Sequence, residues 1–386
     1  MNLTTEQNNI RKEAAAWIDE SVMPFSNVWE EKQELPREVI DAFAGRGYFG
    51  AALPKEWGGL GLDSISFGLL CGEIARGSVS LLSRLTVHNM ASQAILRWGT
   101  PEQKARFLPT LATGEKLGAF ALTEPEIGSD AVNIKTRISE TGGGLLVDGV
   151  KQWTSMGDRA DVFLVMGGLA EGTGAAAVLV ERNTEGLSTE EMKNLLGFRA
   201  AGVSKVTLDK CRIPLDNLIG NLGGGFTYVA SHALDHGRYC VGWGGVGVMD
   251  GCLQACVDYA ANRKQFDQPL RGHQLIQEML ANMAMDYEAA RALALQCAVQ
   301  REEGDPNSIM STAMAKYFSS RASLRVASDA VQIHGGNGCG DEYPVQRYFR
   351  DAKICEIIEG SSQMQQLMIS RAVCMSRKRR KKERRK

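Results

Sequence analysis

Near residue 117 and again near residue 225 the chain changes its hydrophobic period, and that double switch constrains the fold more than any other feature. Between them lie "LGAFALTE", "GGLLVDGVKQWTS", "DVFLVMGG", "AAAVLVER" and "SKVTLDKCRIP". These are short, β-branched or alternating runs broken by Gly, Asn and Asp-Gly, so they predict strands joined by tight turns, an antiparallel β-domain over 118–225. On both sides the period is helical. Over 1–117, Thr4 to Gln7 gives a capping-box pattern, "LPREVIDAFAGRGYFGA" runs into a Gly stop, and Thr100 precedes Pro101 at a first turn. Over 226–374, three long runs starting near Val241, His273 and Asn307 predict a helical bundle, the first of them reaching Phe266. The order helices, β-domain, helices is an α+β multidomain arrangement. It excludes a dinucleotide-binding βαβ fold: no G-x-G-x-x-G follows a strand, and "NLGGGF" (221–226) has the wrong spacing and reads as a linker.

With 386 residues, 44% hydrophobic and 23% charged, the chain is long enough for two or three packed units of ordinary globular composition. No apolar run reads as a membrane span and the polar start is unlike a signal peptide, so a cytoplasmic protein is expected. Nine scattered cysteines without C-x-x-C spacing argue against a disulfide framework or a zinc site, and no metal is expected. The net charge of −1 hides an asymmetry: the last eleven residues carry nine Lys/Arg and one Glu, leaving about −9 on the rest. An acidic body is not that of a nucleic-acid binder. The tail, 375–386, is expected to be disordered.

Three stretches stand out beyond this pattern: "AFALTEPEIGSDA" at the start of the β-domain, "QFDQPLRGHQLIQEMLANMA", and "VQIHGGNGCGDEYPVQRYFRDAKICEIIEGSSQMQ". In this order they resemble the signatures of the acyl-CoA dehydrogenase superfamily, over about residues 5–372. The resemblance implies an N-terminal helical domain, a middle β-domain and a C-terminal four-helix bundle, bound FAD, and a homodimer or homotetramer.

It also implies roles for particular residues. Leu122 and Thr123 fall where backbone and hydroxyl meet the flavin pyrimidine edge, and Ser129 where a serine bonds the pyrophosphate or the thioester arm. Trp153 matches the aromatic packed beside the isoalloxazine. Ser155 stands where threonine is usual, keeping the hydroxyl that meets flavin N5. Arg263 and Phe266 match an Arg-x-x-Phe that reaches the FAD of a neighbouring subunit, with Asp267 in place of the usual Gly. Gln274, Gln332, Gly335 and Gly336 match residues holding the adenosine diphosphate part, and Ser361 and Gln363 touch FAD again. Arg238 and Gly360 fall on the substrate side. Read singly, each has a blander account. Gln274 would be a surface polar group, Gly335-Gly336 a helix stop, Trp153 core, Ser129 a loop or N-cap, and Arg238 a buried structural arginine with Asp235 as one candidate partner.

The family's reaction needs a base to remove the proton α to a thioester while flavin N5 takes a hydride from the β-carbon. Glu359 matches that base. Ile357 and Ile358 precede it, and an apolar setting raises a carboxyl pKa toward working pH. Gly360 permits close backbone approach, and the amide of Glu359 with a flavin ribityl hydroxyl would polarise the thioester carbonyl. Alone, a Glu before Gly would be a helix terminus. Members that place the base on another helix have no counterpart here, since the matching position is Gly237.

The segments "YCVGWGGVGVMDGC" and "KICEIIEGSSQM" also resemble a subgroup acting on acyl groups tethered to acyl carrier proteins in polyketide and hybrid peptide pathways. That implies a small unit of the hydroxymalonyl or aminomalonyl type. The alternative is ordinary α,β-dehydrogenation of a short acyl-CoA, and one of another class is a flavoprotein that binds thioesters without turnover. Electron-transfer flavoprotein or dioxygen would reoxidise the flavin.

Overall fold

A computed structural model describes residues 3–383, with the backbone alone over 375–383. The N-terminal helices are α1 (Thr5–Ser21), α2 (Ser26–Lys32), α3 (Arg37–Gly45), α4 (Ser64–Gly77), α5 (Val79–Trp98) and α6 (Pro101–Thr113). Capping boxes open α1, where Thr4 and Gln7 bond reciprocally, and α6, where Thr100 pairs with Gln103. The strands are β1 (Gly118–Ala121), β2 (Arg137–Thr141), β3 (Gly144–Thr154), β4 (Val162–Leu169), β5 (Ala175–Glu181), β6 (Leu187–Glu191), β7 (Ser204–Pro214) and β8 (Leu218–Ile219). Then come α7 (Ser231–Asn262), a hairpin of β9 (Lys264–Gln265) and β10 (Gln268–Pro269), α8 (Gln274–Glu302), α9 (Ser308–His334), α10 (Val345–Ile357) and α11 (Ser362–Glu383).

The chain packs as two compact units that cut across this order. The helical unit gathers α1, α4, α7 from Arg238 onward, and α8 to α11. The sheet unit gathers α2, α3, α5 from Ser80, α6 and the strands β1 to β8. In the helical unit α4 and α7 approach closely: a Cβ on Gly247 would overlap the Gly72 carbonyl oxygen. In the sheet unit the order is β6-β7-β3-β2-β4-β5-β8, with β1 also on β4.

Four details differ from expectation. The sheet is mixed, because β1 and β2 both run parallel to β4. They share one edge of it in succession, β1 against Val162 to Val165 and β2 against Gly168 and Leu169. Helix α7 stops at Asn262 instead of reaching Phe266, and the next residues turn back as the β9–β10 hairpin. Phe266 and Asp267 are both left-handed there, so Asp267 adopts the conformation that favours the family's Gly. Gly225–Asn262 is, by length and composition, long and apolar enough to cross a membrane, with most of its apolar window buried in the protein. Finally, α11 continues to Glu383, well into the segment expected to be disordered, since Lys and Arg favour helix and no Gly or Pro stops it. Residues 384–386 lie outside the described residues.

Candidate active site

In the sheet unit the site is built on a loop pushed out of the sheet. β1 leaves β4 after Ala121 and β2 returns to the same edge at Arg137, so residues 122–136 bulge away between them. This loop carries Leu122, Thr123 and Ser129. Its neck is closed by Glu124, which accepts hydrogen bonds from the Lys135 amide (2.5 Å), the Thr136 amide (2.8 Å) and Lys151 Nζ (2.8 Å). Lys151 also donates to the Leu122 carbonyl at 3.0 Å. Both side chains are buried. Burial alone would raise the Glu124 carboxyl, but Lys151 and the Thr136 and Lys135 donors overcome it and hold it at about 2. Burial pushes Lys151 down to about 8 against the opposing pull of Glu124.

Strand β3 brings the second group. The Gln152 amide donates to the Thr123 carbonyl at 2.8 Å, tying β3 to the loop's first residues. Pairing runs Lys151↔Val206 and then Thr154↔Ser204, so Gln152 and Trp153 face one residue of β7. This bulge holds Trp153 at φ 62° and leaves it 53% exposed, free to stack on a ligand instead of joining the core. Ser155 Oγ lies 2.9 Å from Ser83 Oγ of α5, which fixes its hydroxyl. Leu122 is buried, Thr123 and Ser155 half-buried, and Ser129 exposed.

In the helical unit Glu359 follows α10 in a left-handed conformation, φ 55°, and Gly360 continues at φ 87°. The Glu359 carbonyl accepts from Arg238 Nε (3.0 Å) and Gln365 Nε2 (3.2 Å). The Gly360 carbonyl accepts from Gln365 Nε2 (2.9 Å) and Lys316 Nζ (2.9 Å). Glu359 Oε2 is buried and has no hydrogen-bond partner among the described residues. Burial raises the Glu359 carboxyl to about 7, with Arg238 and Lys316 pulling the other way. The shield differs from expectation, because Ile357 at the end of α10 is 54% exposed and does not close off the carboxylate.

Arg238, Glu359 and Gly360 are thus brought together. Ser361 accepts the Met364 amide at 3.4 Å, capping α11, and Gln363 is exposed in its first turn. Arg263, Phe266 and Gln274 form an exposed set: the Leu270 amide donates to the Arg263 carbonyl (2.8 Å), and His273 Nε2 pairs with the Gln265 carbonyl (3.1 Å). Gln332, Gly335 and Gly336 end α9 at the surface, with open space where a Cβ on either glycine would lie. The His334 ring stacks on Tyr259, and Asn337 Nδ2 donates to the Tyr259 hydroxyl at 2.9 Å, pinning this turn.

Sequence reasoning missed Glu124, Lys151, Ser83, Lys316 and Gln365. A signal existed for Lys316: in "TAMAKYFSS" it falls on a helical stripe with Thr312, Ser319, Ser320 and Ser323, all buried.

In the sheet unit, an aromatic face at a strained bulge and a hydroxyl of fixed orientation suit the planar ring of a cofactor such as FAD. In the helical unit, the open glycine turn at Gly335 and Gly336 suits a phosphate-bearing group. Also in the helical unit, a carboxyl with one buried, unpartnered oxygen on its own turn, that of Glu359, is a candidate general base. Family descriptions match almost end to end: acyl-CoA dehydrogenase N-terminal domain over 4–115, middle domain over 119–211 and C-terminal domain over 223–374. The chain belongs to the acyl-CoA dehydrogenase family, and is an FAD-dependent oxidoreductase acting on CH–CH bonds of acyl thioesters. It is similar to an acyl-CoA dehydrogenase of Bacillus subtilis, 36% identical over 96% of this chain and 98% of the relative. Among solved structures, butyryl-CoA dehydrogenase from Megasphaera elsdenii superposes with a TM-score of 0.93 at 32% identity, covering 97% of this chain and 99% of that one. FkbI, described for biosynthesis of the methoxymalonyl extender unit of a polyketide immunosuppressant, gives 0.87 at 31%, covering 94% and 99%.

Proposed function

We propose that Glu359 is the base that removes the α-proton of a short acyl-CoA in an α,β-dehydrogenation. The observation that carries this reading is the buried, unpartnered Oε2 of Glu359 on a carboxyl raised to about 7. A base with that pKa is ionised enough to act near neutral pH and basic enough to take the proton. The FAD, when bound, supplies the acceptor for the β-hydride. Arg238, Gln365 and Lys316 hold the carbonyls of Glu359 and Gly360, which fixes the peptide whose neighbouring amide, that of Glu359, would donate to the thioester oxygen. Thr123, Trp153 and Ser155 would hold the flavin ring, and Ser361 and Gln363 its remainder. Ser129 would take the pyrophosphate or the thioester arm. Arg263 and Phe266 would reach the cofactor of a neighbouring copy, Gln274, Gln332, Gly335 and Gly336 would hold an adenosine diphosphate part, and electron-transfer flavoprotein is the proposed acceptor.

The acyl-CoA form is favoured by the names of the relatives at 33–36% identity. The likeness to FkbI supports a second reading, in which the small acyl unit rides on a carrier protein. Anaerobic bleaching of the bound flavin by matched acyl-CoA and acyl-carrier-protein thioesters separates the two, because only the true carrier gives saturable bleaching. Glu359→Gln is expected to keep FAD and its yellow colour while losing bleaching by at least about a thousandfold. Full bleaching in that variant would remove Glu359 as the base.

A further inference from the structure

Lys316 sits in the N-terminal third of α9, fully buried, and its stripe of the helix is otherwise small and uncharged: Thr312, Ala313, Ser319, Ser320 and Ser323. A buried ammonium is costly unless it is matched by an anion or by well-placed acceptors. Lys316 forms no ion pair among the described residues. Its Nζ donates instead to the Gly360 carbonyl at 2.9 Å and, more weakly, to the Glu356 carbonyl at 3.5 Å. A neutral donor could fill a purely structural place of this kind, so the retained charge needs another reason.

We propose that Lys316 is a positioning residue for Glu359, holding the Glu359–Gly360 turn through the Gly360 carbonyl and supplying a fixed positive charge near the carboxylate. This rests on Glu359 being the base. The turn needs holding. Glu359 at φ 55° is in a region that non-glycine residues populate rarely, and such a conformation persists only where the surroundings over-determine it. Lys316 is one of three donors doing so, with Arg238 Nε from α7 and Gln365 Nε2 from α11.

The electrostatics agree with the geometry. The charged and titratable groups facing this cluster are Arg238 on α7, Lys316 on α9, and Cys355 and Glu356 on α10. Glu356 is already engaged by Lys353 Nζ at 2.7 Å and by Arg321 Nε at 3.8 Å. The cations acting on Glu359 are therefore Arg238 and Lys316, and both oppose the effect of burial on it. Burial lowers Lys316 to about 8, so at neutral pH it still carries its charge.

The test is the pH dependence of kcat/KM in the FAD-loaded enzyme, with a thioester that bleaches the wild-type flavin. Lys316→Met and Lys316→Gln are expected to move the base limb up by about one pH unit, and Lys316→Arg to return it. Gln365→Leu, which removes a neutral donor from the same carbonyls, should slow turnover and leave the limb where it is. Lys316→Gln stands in if Lys316→Met does not fold. A folded neutral variant with the wild-type limb, or an arginine variant whose limb stays with the neutral ones, overturns the proposal. Glu359→Gln run alongside separates the readings. If it stays active, the base assignment itself has failed; if it is inactive while the limb never moves, only the role of Lys316 has.

Discussion

At the scale of a single residue, the carboxyl of Glu359 sets function against stability. Its pKa is raised to about 7 in the folded chain, chiefly by burial, from a reference value of 4.5. A carboxyl raised on folding binds its proton more tightly in the native state, so stability depends on pH in a definite direction. Below about pH 4.5 the group is protonated in both states and contributes nothing. Between about pH 4.5 and 7 the unfolded chain ionises this carboxyl while the folded state keeps its proton, so the protein loses stability on the order of 3 kcal/mol, a loss that is complete above the folded pKa. Glu359→Gln removes that burden. Thermal unfolding at pH 8 should therefore show the variant melting above the wild type, the gap closing as pH falls toward 4.5. An inactive variant that is more stable at alkaline pH and equal at acid pH is the mark of a carboxylate kept for chemistry. A gap independent of pH would mean that the carboxyl is not buried as described. Activity has the opposite slope, rising with pH through about 7 as the base ionises.

At the scale of an element, the loop between β1 and β2 depends on one buried ion pair. Glu124 takes the Lys135 and Thr136 backbone amides and the ammonium of Lys151, so the ion pair ties the neck to β3. Lys151→Met would leave a buried carboxylate without its cation, a change costing about 3 kcal/mol or more. The expected outcome is a lower Tm together with weaker FAD retention on gel filtration, because Thr123 and Ser129 lie on the freed loop. Loss of stability with unchanged FAD affinity would show that the loop keeps its shape without the pair. Here the limits of sequence reading are physical. The motif "LTEPEIGSD" marked the loop, and the alternation around it marked the strands. That Glu124 pairs with Lys151, 27 residues away, depends on β1 and β2 sharing one edge of β4, which no local pattern encodes. Trp153 reads as core until the bulge in β3 turns it outward. Glu359 was legible because its signature is contiguous, and Arg238 through its match to the family, whereas Lys316 reaches the same turn from α9, outside that signature.

At the scale of the whole molecule, the helical unit leaves large apolar side chains in water at its hairpin and along α8: Phe266 is 89% exposed, Leu275 72% and Met285 69%. A few such residues are ordinary on a surface, but three on the hairpin and α8, close in sequence to Arg263 and Gln274, are candidates for coverage by a partner. The role proposed for Arg263 and Phe266, reaching the cofactor of a neighbouring subunit, gives the proposed cover as a second copy of the chain. Apolar burial at such an interface contributes roughly 25 cal/mol per Å² removed from water, so a charge placed there is disproportionately costly. Light scattering should give the wild type a mass at least twice that of one chain. Leu275→Glu with Met285→Glu should shift it toward the single chain and release FAD in the same titration, although neither residue is matched to a cofactor contact. If the mass falls while the flavin stays bound, each cofactor site is complete within one chain, and Arg263 and Phe266 serve association alone.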